Sequence, residues 1–233
     1  MFTLGELTTR TYIIFDLFHT LSTLAHTGAR GVDLHTMLGV SRETVNEALF
    51  EGSHDRLTGV ISDPASVIAD IAARCGASPS GEQCRSAATR RAARFAESLR
   101  LTPLHILETL DCLRANGKQL ALISNADVTE ISGWDTSPLA PRFVVALLSC
   151  RVGLAKPDPE IYRLCLTKLG ARPDECVFVG DGGSNEFVGA REAGIPSICT
   201  TEFICDIFPE RVAHHSAQAD CVIGALSELC TAT

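Results

Sequence analysis

Tyr12-Ile13-Ile14-Phe15-Asp16-Leu17-Phe18-His19-Thr20-Leu21 is the stretch whose pattern fixes how the remainder of the chain is read. Four apolar or aromatic residues end abruptly in an acid, and a helix-poor segment with a threonine follows. That pattern describes a buried parallel strand delivering one carboxylate to its carboxyl end. Open parallel sheets bind ligands at that edge. Asp16 is therefore a candidate nucleophile, since a carboxylate so placed can attack a phosphorus or carbon centre and form a covalent intermediate. A lone Asp after an apolar run more often caps the next turn. The residues further along the chain decide between the two.

Working outward, the ten residues before the strand carry Glu6 and lack a basic region followed by an apolar run and a cleavage site, so no signal peptide is expected. Past Leu21 the character changes. Val32 to Leu38, Arg42 to Phe50, Pro64 to Cys75 and Glu82 to Leu99 each fit a 3.6-residue wheel with one apolar side. Ser41 with Thr44 and Ser80 with Glu82-Gln83 read as helix starts, and Gly76 as a helix end. Residues 22–101 are thus expected to form a helical insertion, with 1–21 and 102–233 forming the main domain.

From Thr102 helix and strand alternate. A helix begins at Pro103 and ends before Asn116-Gly117; strands are expected at Lys118 to Ile123, Phe143 to Ser149, Cys176 to Val179, Pro196 to Thr200 and Cys221 to Ile223. Helices Glu160 to Leu169 and Asn185 to Ala193 fill the gaps, each closed by a glycine, and a last helix follows the final strand. Short connections between alternating elements predict an α/β fold, a Rossmann-like parallel sheet covered on both faces.

With 233 residues, 45% hydrophobic and 21% charged, the chain is long enough for a sizeable core and too apolar for general disorder. Twenty Lys and Arg against 28 acids give a net charge of -8, which disfavours nonspecific nucleic-acid binding. No apolar run reaches membrane-spanning length. The ten cysteines are dispersed with no CxxC pair and read as small buried hydrophobes, so neither a disulfide framework nor a zinc site is expected and the compartment is read as cytoplasmic.

Four strand ends then hold Asp16, Ser124, Lys156 and Asp181 on one edge of the sheet. One reaction uses all four. A carboxylate attacking a phosphoryl group needs its own charge and the phosphate's masked. A divalent cation held by Asp16 and Asp181 and the ammonium of Lys156 would do so, with Ser124 hydrogen-bonding the phosphoryl oxygens.

The segments Phe15-Asp16-Leu17-Phe18-His19-Thr20-Leu21, Ile123-Ser124-Asn125, Lys156-Pro157-Asp158-Pro159 and Val179-Gly180-Asp181-Gly182-Gly183-Ser184-Asn185-Glu186 resemble, in order and spacing, the four motifs of the haloacid dehalogenase (HAD) superfamily. The resemblance covers Thr11 to about Thr200. It implies a HAD core with a C1 cap inserted after the first strand, and Mg2+ bound by Asp16, the carbonyl of Phe18 and Asp181. It also implies Ser124, Asn125 and Lys156 at the phosphate, with Asn185 and Glu186 orienting Lys156 or metal-bound water. The activity implied is hydrolysis of a small phosphorylated metabolite through an aspartyl-phosphate on Asp16.

One position departs from that pattern. Phosphatases of the superfamily carry a second Asp two residues after the nucleophile as general acid and base; here Phe18 stands there and can do neither. The dehalogenases also have an aromatic residue there, because halide leaves without a proton, but they do not keep the Gly180-Asp181 pair. Phe18 therefore opens two alternatives, a metal-independent 2-haloacid hydrolase and a HAD-fold binding or regulatory module with weak turnover. A phosphatase lacking this acid needs a leaving group of low pKa or another proton donor. His19 has a suitable pKa, but neighbours on an extended segment point to opposite sides, so it is read as packed below the site. His54 on the insertion has no placement from sequence. Arg85, Arg90, Arg91, Arg94 and Arg100 read as a solvated helix face, His214-His215 as surface and Trp134 as a core anchor. No feature specifies the substrate or an oligomeric state.

Overall fold

The structure, a computed structural model, describes residues 2–25, 33–50 and 53–233. Val32, the expected start of the first insertion helix, lies outside them. The apolar runs form one parallel sheet of β1 (Tyr12–Phe15), β2 (Gln119–Ser124), β3 (Val145–Leu148), β4 (Cys176–Gly180), β5 (Ser197–Thr200) and β6 (Cys221–Ile223), in spatial order β3-β2-β1-β4-β5-β6. β1 is central because its residues can be buried on both sides. Ile13 and Phe15 join Leu120, Leu122, Val177 and Val179 in the core on one face, while Ile14 joins Ala121, Ile123 and Phe178 on the other. Period-two alternation with both faces covered is what makes these strands read as unbroken apolar runs.

The insertion between β1 and β2 contains α1 (Leu34–Leu38), α2 (Arg42–Phe50), α3 (His54–Leu57), α4 (Pro64–Arg74) and α5 (Gly81–Arg100), and no strand among its described residues. Its helix starts follow the capping chemistry of the sequence. The Ser41 hydroxyl accepts from Thr44 N at 3.1 Å, and Ser80 and Gln83 form a reciprocal capping box at 3.3 and 2.7 Å. Small residues on α5, Cys84, Ala87 and Ala88, let it pack closely on Ile68 of α4.

Helices α6 (Leu104–Ala115), α7 (Ser149–Val152), α8 (Pro159–Leu169), α9 (Glu186–Glu192), α10 (Ile204–Ile207), α11 (Pro209–Ser216) and α12 (Glu228–Thr231) complete the core. Ile106, Leu110 and Leu113 of α6 cover one face of the sheet, and Ile161, Tyr162 and Cys165 of α8 with Phe187 and Ala190 of α9 cover the other. Each fully buried Ile, Leu or Phe among them contributes about 1.5–3 kcal/mol relative to exposure.

Local differences from the sequence reading have identifiable causes. Lys118 lies outside β2 because its buried ammonium donates to the carbonyls of Leu7, Thr8 and Arg10 at 2.8, 3.1 and 2.7 Å, satisfying the end of the 3-10 turn Leu4–Thr9. Phe143 lies outside β3: it ends the 3-10 turn Ala140–Arg142 and meets Phe15 edge-on at 6.3 Å. Helices α3, α7 and α10 are single turns, too short to show a period. Of the cysteines, Cys84, Cys165, Cys176 and Cys199 are buried, whereas Cys205 is exposed, so not all of them serve as buried hydrophobes. No helix of the described residues is long and apolar enough to cross a membrane.

Candidate active site

Parallel register brings the carboxyl ends of β1, β2 and β4 side by side: Phe15 pairs with Leu122 and with Val179. Asp16 continues the ladder one residue past β1, its N-H donating to Val179 O at 2.9 Å, which fixes the direction of its buried carboxylate. Asp181 follows β4 and is likewise buried. Lys156 arrives from the loop between α7 and α8. Its Nζ donates to Asp16 Oδ1 and to Glu186 Oε2, the latter at 2.6 Å, while Thr20 Oγ1 donates to Asp16 Oδ2 at 3.2 Å. Carboxylate oxygens of Asp16, Asp181 and Glu186 lie within 4.8 Å of one another.

The surrounding residues hold this cluster. Glu186 opens α9, and its Oε1 accepts from Gly182 N at 2.9 Å while its carbonyl accepts from Tyr162 Oη at 2.7 Å. Gly180 is required because a Cβ there would collide with the Glu186 carboxylate. Gly182, at φ 93°, approaches so closely that an added Cβ would lie 2.6 Å from His215 Cβ. Asn125 joins two loops: its Nδ2 donates to Lys156 O at 2.8 Å and its Oδ1 accepts from Lys156 N at 2.7 Å. Ser124 ends β2, is fully buried, and its Oγ has no hydrogen-bond partner. Three non-glycine residues, His19, Ser184 and Asn185, take left-handed backbone conformations in the two loops beside the acids.

Three buried carboxylates share one ammonium. Burial first, then the charge of Asp16, raises the Asp181 carboxyl to about 7, and no side-chain cation among the described residues pairs with it. Burial opposes the charge on Lys156, but Asp16 and Glu186 outweigh it and hold the ammonium above its ordinary value. A compact, buried, all-oxygen donor set with an excess of negative charge suits a hard divalent cation. The turn after β1, Leu17 to Ser22, begins at the residue following Asp16. Its hydrogen bonds run from Leu21 N and Ser22 N to Leu17 O and from His19 N to Ser22 O, which leaves the Phe18 carbonyl outside the turn's own ladder.

A cavity of about 560 Å³ opens over these residues, between the sheet edge and the helical insertion. Phe18 faces it and meets Phe95 of α5 edge-on at 5.3 Å. Arg91, also on α5, is buried: it pairs with Asp127 at 3.3 Å and Glu130 at 2.8 Å, both on the loop after β2, and its guanidinium lies 4.7 Å from the Phe95 ring centre. The residues matched by a family model of haloacid dehalogenase-like hydrolases are 13–194, which include the whole of this constellation. The chain belongs to the haloacid dehalogenase-like hydrolase family.

This HAD hydrolase is 32% identical over 118 residues to a phosphoserine phosphatase of Thermus thermophilus, covering 50% of this chain and 45% of that protein. It spans less than half the length of the first curated relatives it matches. Its fold is similar to that of a HAD family enzyme from Bacteroides thetaiotaomicron solved with magnesium and inorganic phosphate, with TM-score 0.60, 22% identity, and 82% and 94% of the two chains covered. It is equally similar to a 2-haloacid dehalogenase from Pseudomonas syringae, with TM-score 0.59, 23% identity, and 96% and 97% covered. At these identities the likeness establishes the HAD fold.

Several single residues of this HAD hydrolase sit elsewhere than their sequence context suggests. His19 shares the cavity wall with Phe18, because its φ of 63° breaks the extended path on which neighbours would oppose each other. The basic stretch is not one solvated face: Arg85, Arg90 and Arg100 are exposed, whereas Arg91 is buried and Arg94, half-buried, pairs with Asp33. His215 is not surface either, since its Nδ1 donates to Asp181 O at 2.8 Å. Because a carbonyl can only accept, this bond fixes the proton on Nδ1. His54 is exposed and lies off the cavity, Trp134 is buried against Phe143, and Asn185 is exposed. Asp127 and Glu130 escaped the sequence reading; the signal available was a pair of acids in the polar loop directly after the second motif.

Proposed function

We propose that this HAD hydrolase is a Mg2+-dependent phosphatase acting on a small phosphorylated metabolite, with Asp16 as the nucleophile. In this reading residues 22–101 form the cap, and 1–21 with 102–233 form the core. The observation that carries it is the meeting of Asp16, Asp181 and Glu186 within 4.8 Å beside a single ammonium, an excess of negative charge that one divalent cation would offset. Mg2+ would be held by Asp16, the Phe18 carbonyl and Asp181, and when bound it supplies the positive charge that lets a carboxylate approach a phosphate dianion.

The chain's own residues do the rest. Lys156, kept protonated and aimed by Glu186, neutralises Asp16 Oδ1 and the incoming phosphate oxygens. Ser124 offers its unpartnered hydroxyl to a phosphoryl oxygen, and Asn125 fixes the Lys156 main chain so that the ammonium keeps its place. Thr20 orients the Asp16 carboxylate. Attack by Asp16 breaks the bond between phosphorus and the leaving oxygen; water then cleaves the aspartyl-phosphate and restores the carboxylate.

Mg2+-stimulated phosphate release from a panel of phosphometabolites, together with a beryllofluoride adduct on Asp16, is the expected result. Neither appearing would end this reading. Phe18 favours a second reading, carbon-halogen hydrolysis, which predicts halide release from 2-haloacids unaffected by EDTA.

A further inference from the structure

We propose that the substrate's leaving group is uncharged, apolar and able to depart as a stabilised oxyanion, the class represented by aryl phosphates. The inference rests on the phosphatase reading of Asp16 and adds to it the chemistry of the group that leaves.

The charges of the cavity wall point to an uncharged group. Four arginines of the insertion face the cavity, and each is already paired. Arg42 and Arg94 hold Asp33, the first at 2.8 Å; Arg56 holds Asp70 and the carbonyls of Ala48 and Leu49; Arg91 holds Asp127 and Glu130. On the opposite wall Arg211 stacks over Phe208 at 4.5 Å and lies 3.6 Å from Glu210. Among the described residues, a second carboxylate or phosphate on a substrate would therefore meet Asp33, Asp127 and Glu130 with each arginine of this wall already held by an acid, and burying it would cost its solvation. The wall between these pairs is apolar, with Phe18, Phe95, Phe208, Met37, Val45 and Leu49 around the space above Asp16. At about 560 Å³ the cavity has the size of a small-molecule site.

The proton supply at Phe18 points to the same class. Where the motif would carry an acid, Phe18 presents a ring edge-on to Phe95. An aromatic leaving group adds to this edge-to-face arrangement, and neither Phe18 nor Phe95 donates a proton; His19 shares the wall but packs its ring edge-on to Phe208 at 5.4 Å. The step balances without a donor. An Asp16 oxygen forms a bond to phosphorus as the bond from phosphorus to the aryl oxygen breaks. The electron pair stays on that oxygen as a phenolate, which takes its proton from solvent, and water then releases inorganic phosphate from Asp16. A phenolate tolerates this, whereas a primary alkoxide loses the 10² to 10⁴ that general-acid help typically provides.

Steady-state kinetics with Mg2+ on phenyl, 2-naphthyl and 4-nitrophenyl phosphate, glycerol 3-phosphate, phosphoglycolate and acetyl phosphate test it. The expected order places each aryl ester at least about 10² above glycerol 3-phosphate and phosphoglycolate in kcat/KM. 2-Naphthyl should exceed phenyl phosphate by about tenfold, because the two phenols leave equally well and only the apolar contact differs. F18D should raise turnover of glycerol 3-phosphate relative to 4-nitrophenyl phosphate by at least about tenfold. D33N, which releases Arg42 and Arg94, should lower the phenyl phosphate to phosphoglycolate ratio by a similar factor. These are ratios within one preparation, so partial misfolding of a variant does not alter them, and the wild-type series decides alone if a variant is lost. Phosphoglycolate or glycerol 3-phosphate turned over as well as the aryl esters would overturn the leaving-group inference while the phosphatase reading stands. No phosphate from any ester or from acetyl phosphate, with no beryllofluoride adduct on Asp16, would overturn both.

Discussion

Two clusters of buried charge face each other across the cavity, and they are built on opposite principles. At the sheet edge Asp16, Asp181 and Glu186 share Lys156, so acids exceed cations. On the other side the described acids that line the cavity are each held by arginine, Asp33 by Arg42 and Arg94, and Asp127 and Glu130 by Arg91, while Asp70 is held by Arg56 and Arg74. Balanced buried pairs hold elements together, whereas an unbalanced cluster is retained because something else binds there. In the proposed function, the difference separates the part of the cavity assigned to chemistry from the part assigned to shaping what enters.

The contrast is broken most severely at its centre. Asp16→Asn should lower phosphate release by about 10³-fold or more, while the melting temperature stays within a few degrees because Glu186 still holds Lys156. Kinetics and thermal denaturation on the same preparation check this; retained turnover would remove Asp16 from the chemistry. On the balanced side Arg91→Ala should instead cost stability, about 3–5 kcal/mol by denaturant titration, because it strands the buried Asp127 and the half-buried Glu130. Arg90→Ala, exposed on the same helix, should stay within about 0.5 kcal/mol. Equal effects at the two positions would show that Arg91 is no more than a surface charge.

Much of this was legible in the sequence. Asp16 and Asp181 each end an apolar run, and parallel register requires such ends to lie together. The helices of the insertion were visible from their period and from Ser41 and Ser80. What stayed hidden depends on contacts between segments far apart in sequence. Arg90 and Arg91 are neighbours of identical type, and only the seating of α5 on the loop after β2 makes one exposed and the other buried. His215 meets Asp181 from a helix 34 residues away, which no local pattern encodes. The left-handed turn at His19, a non-glycine residue, carries no propensity signal either.

Smaller effects sharpen the comparison. Gly180→Ala forces the Glu186 carboxylate aside and should misplace Lys156, lowering kcat about 10–100-fold with KM little changed. An unaltered kcat would mean that Glu186 does not aim the ammonium. Glu130 offers the mildest test. Burial first, then the charge of Asp127, raises its carboxyl to about 7 against the opposing charges of Arg91 and Arg56. The folded protein therefore keeps a proton that the unfolded chain gives up between its ordinary value and about pH 7, so this group's contribution to stability falls as pH rises through that window. Glu130→Gln should flatten the decline, by up to about 1.4 kcal/mol per pH unit. Parallel stability profiles for the two proteins would rule Glu130 out as their source.

The claim that Asp16 and Asp181 grip one divalent cation is tested most directly by fluorine NMR of the protein with Mg2+ and beryllofluoride. The wild type should show a bound, Mg2+-dependent beryllofluoride signal that disappears in Asp16→Asn and in Asp181→Asn. A signal that forms without Mg2+, or that persists when Asp181 is neutralised, would contradict the account.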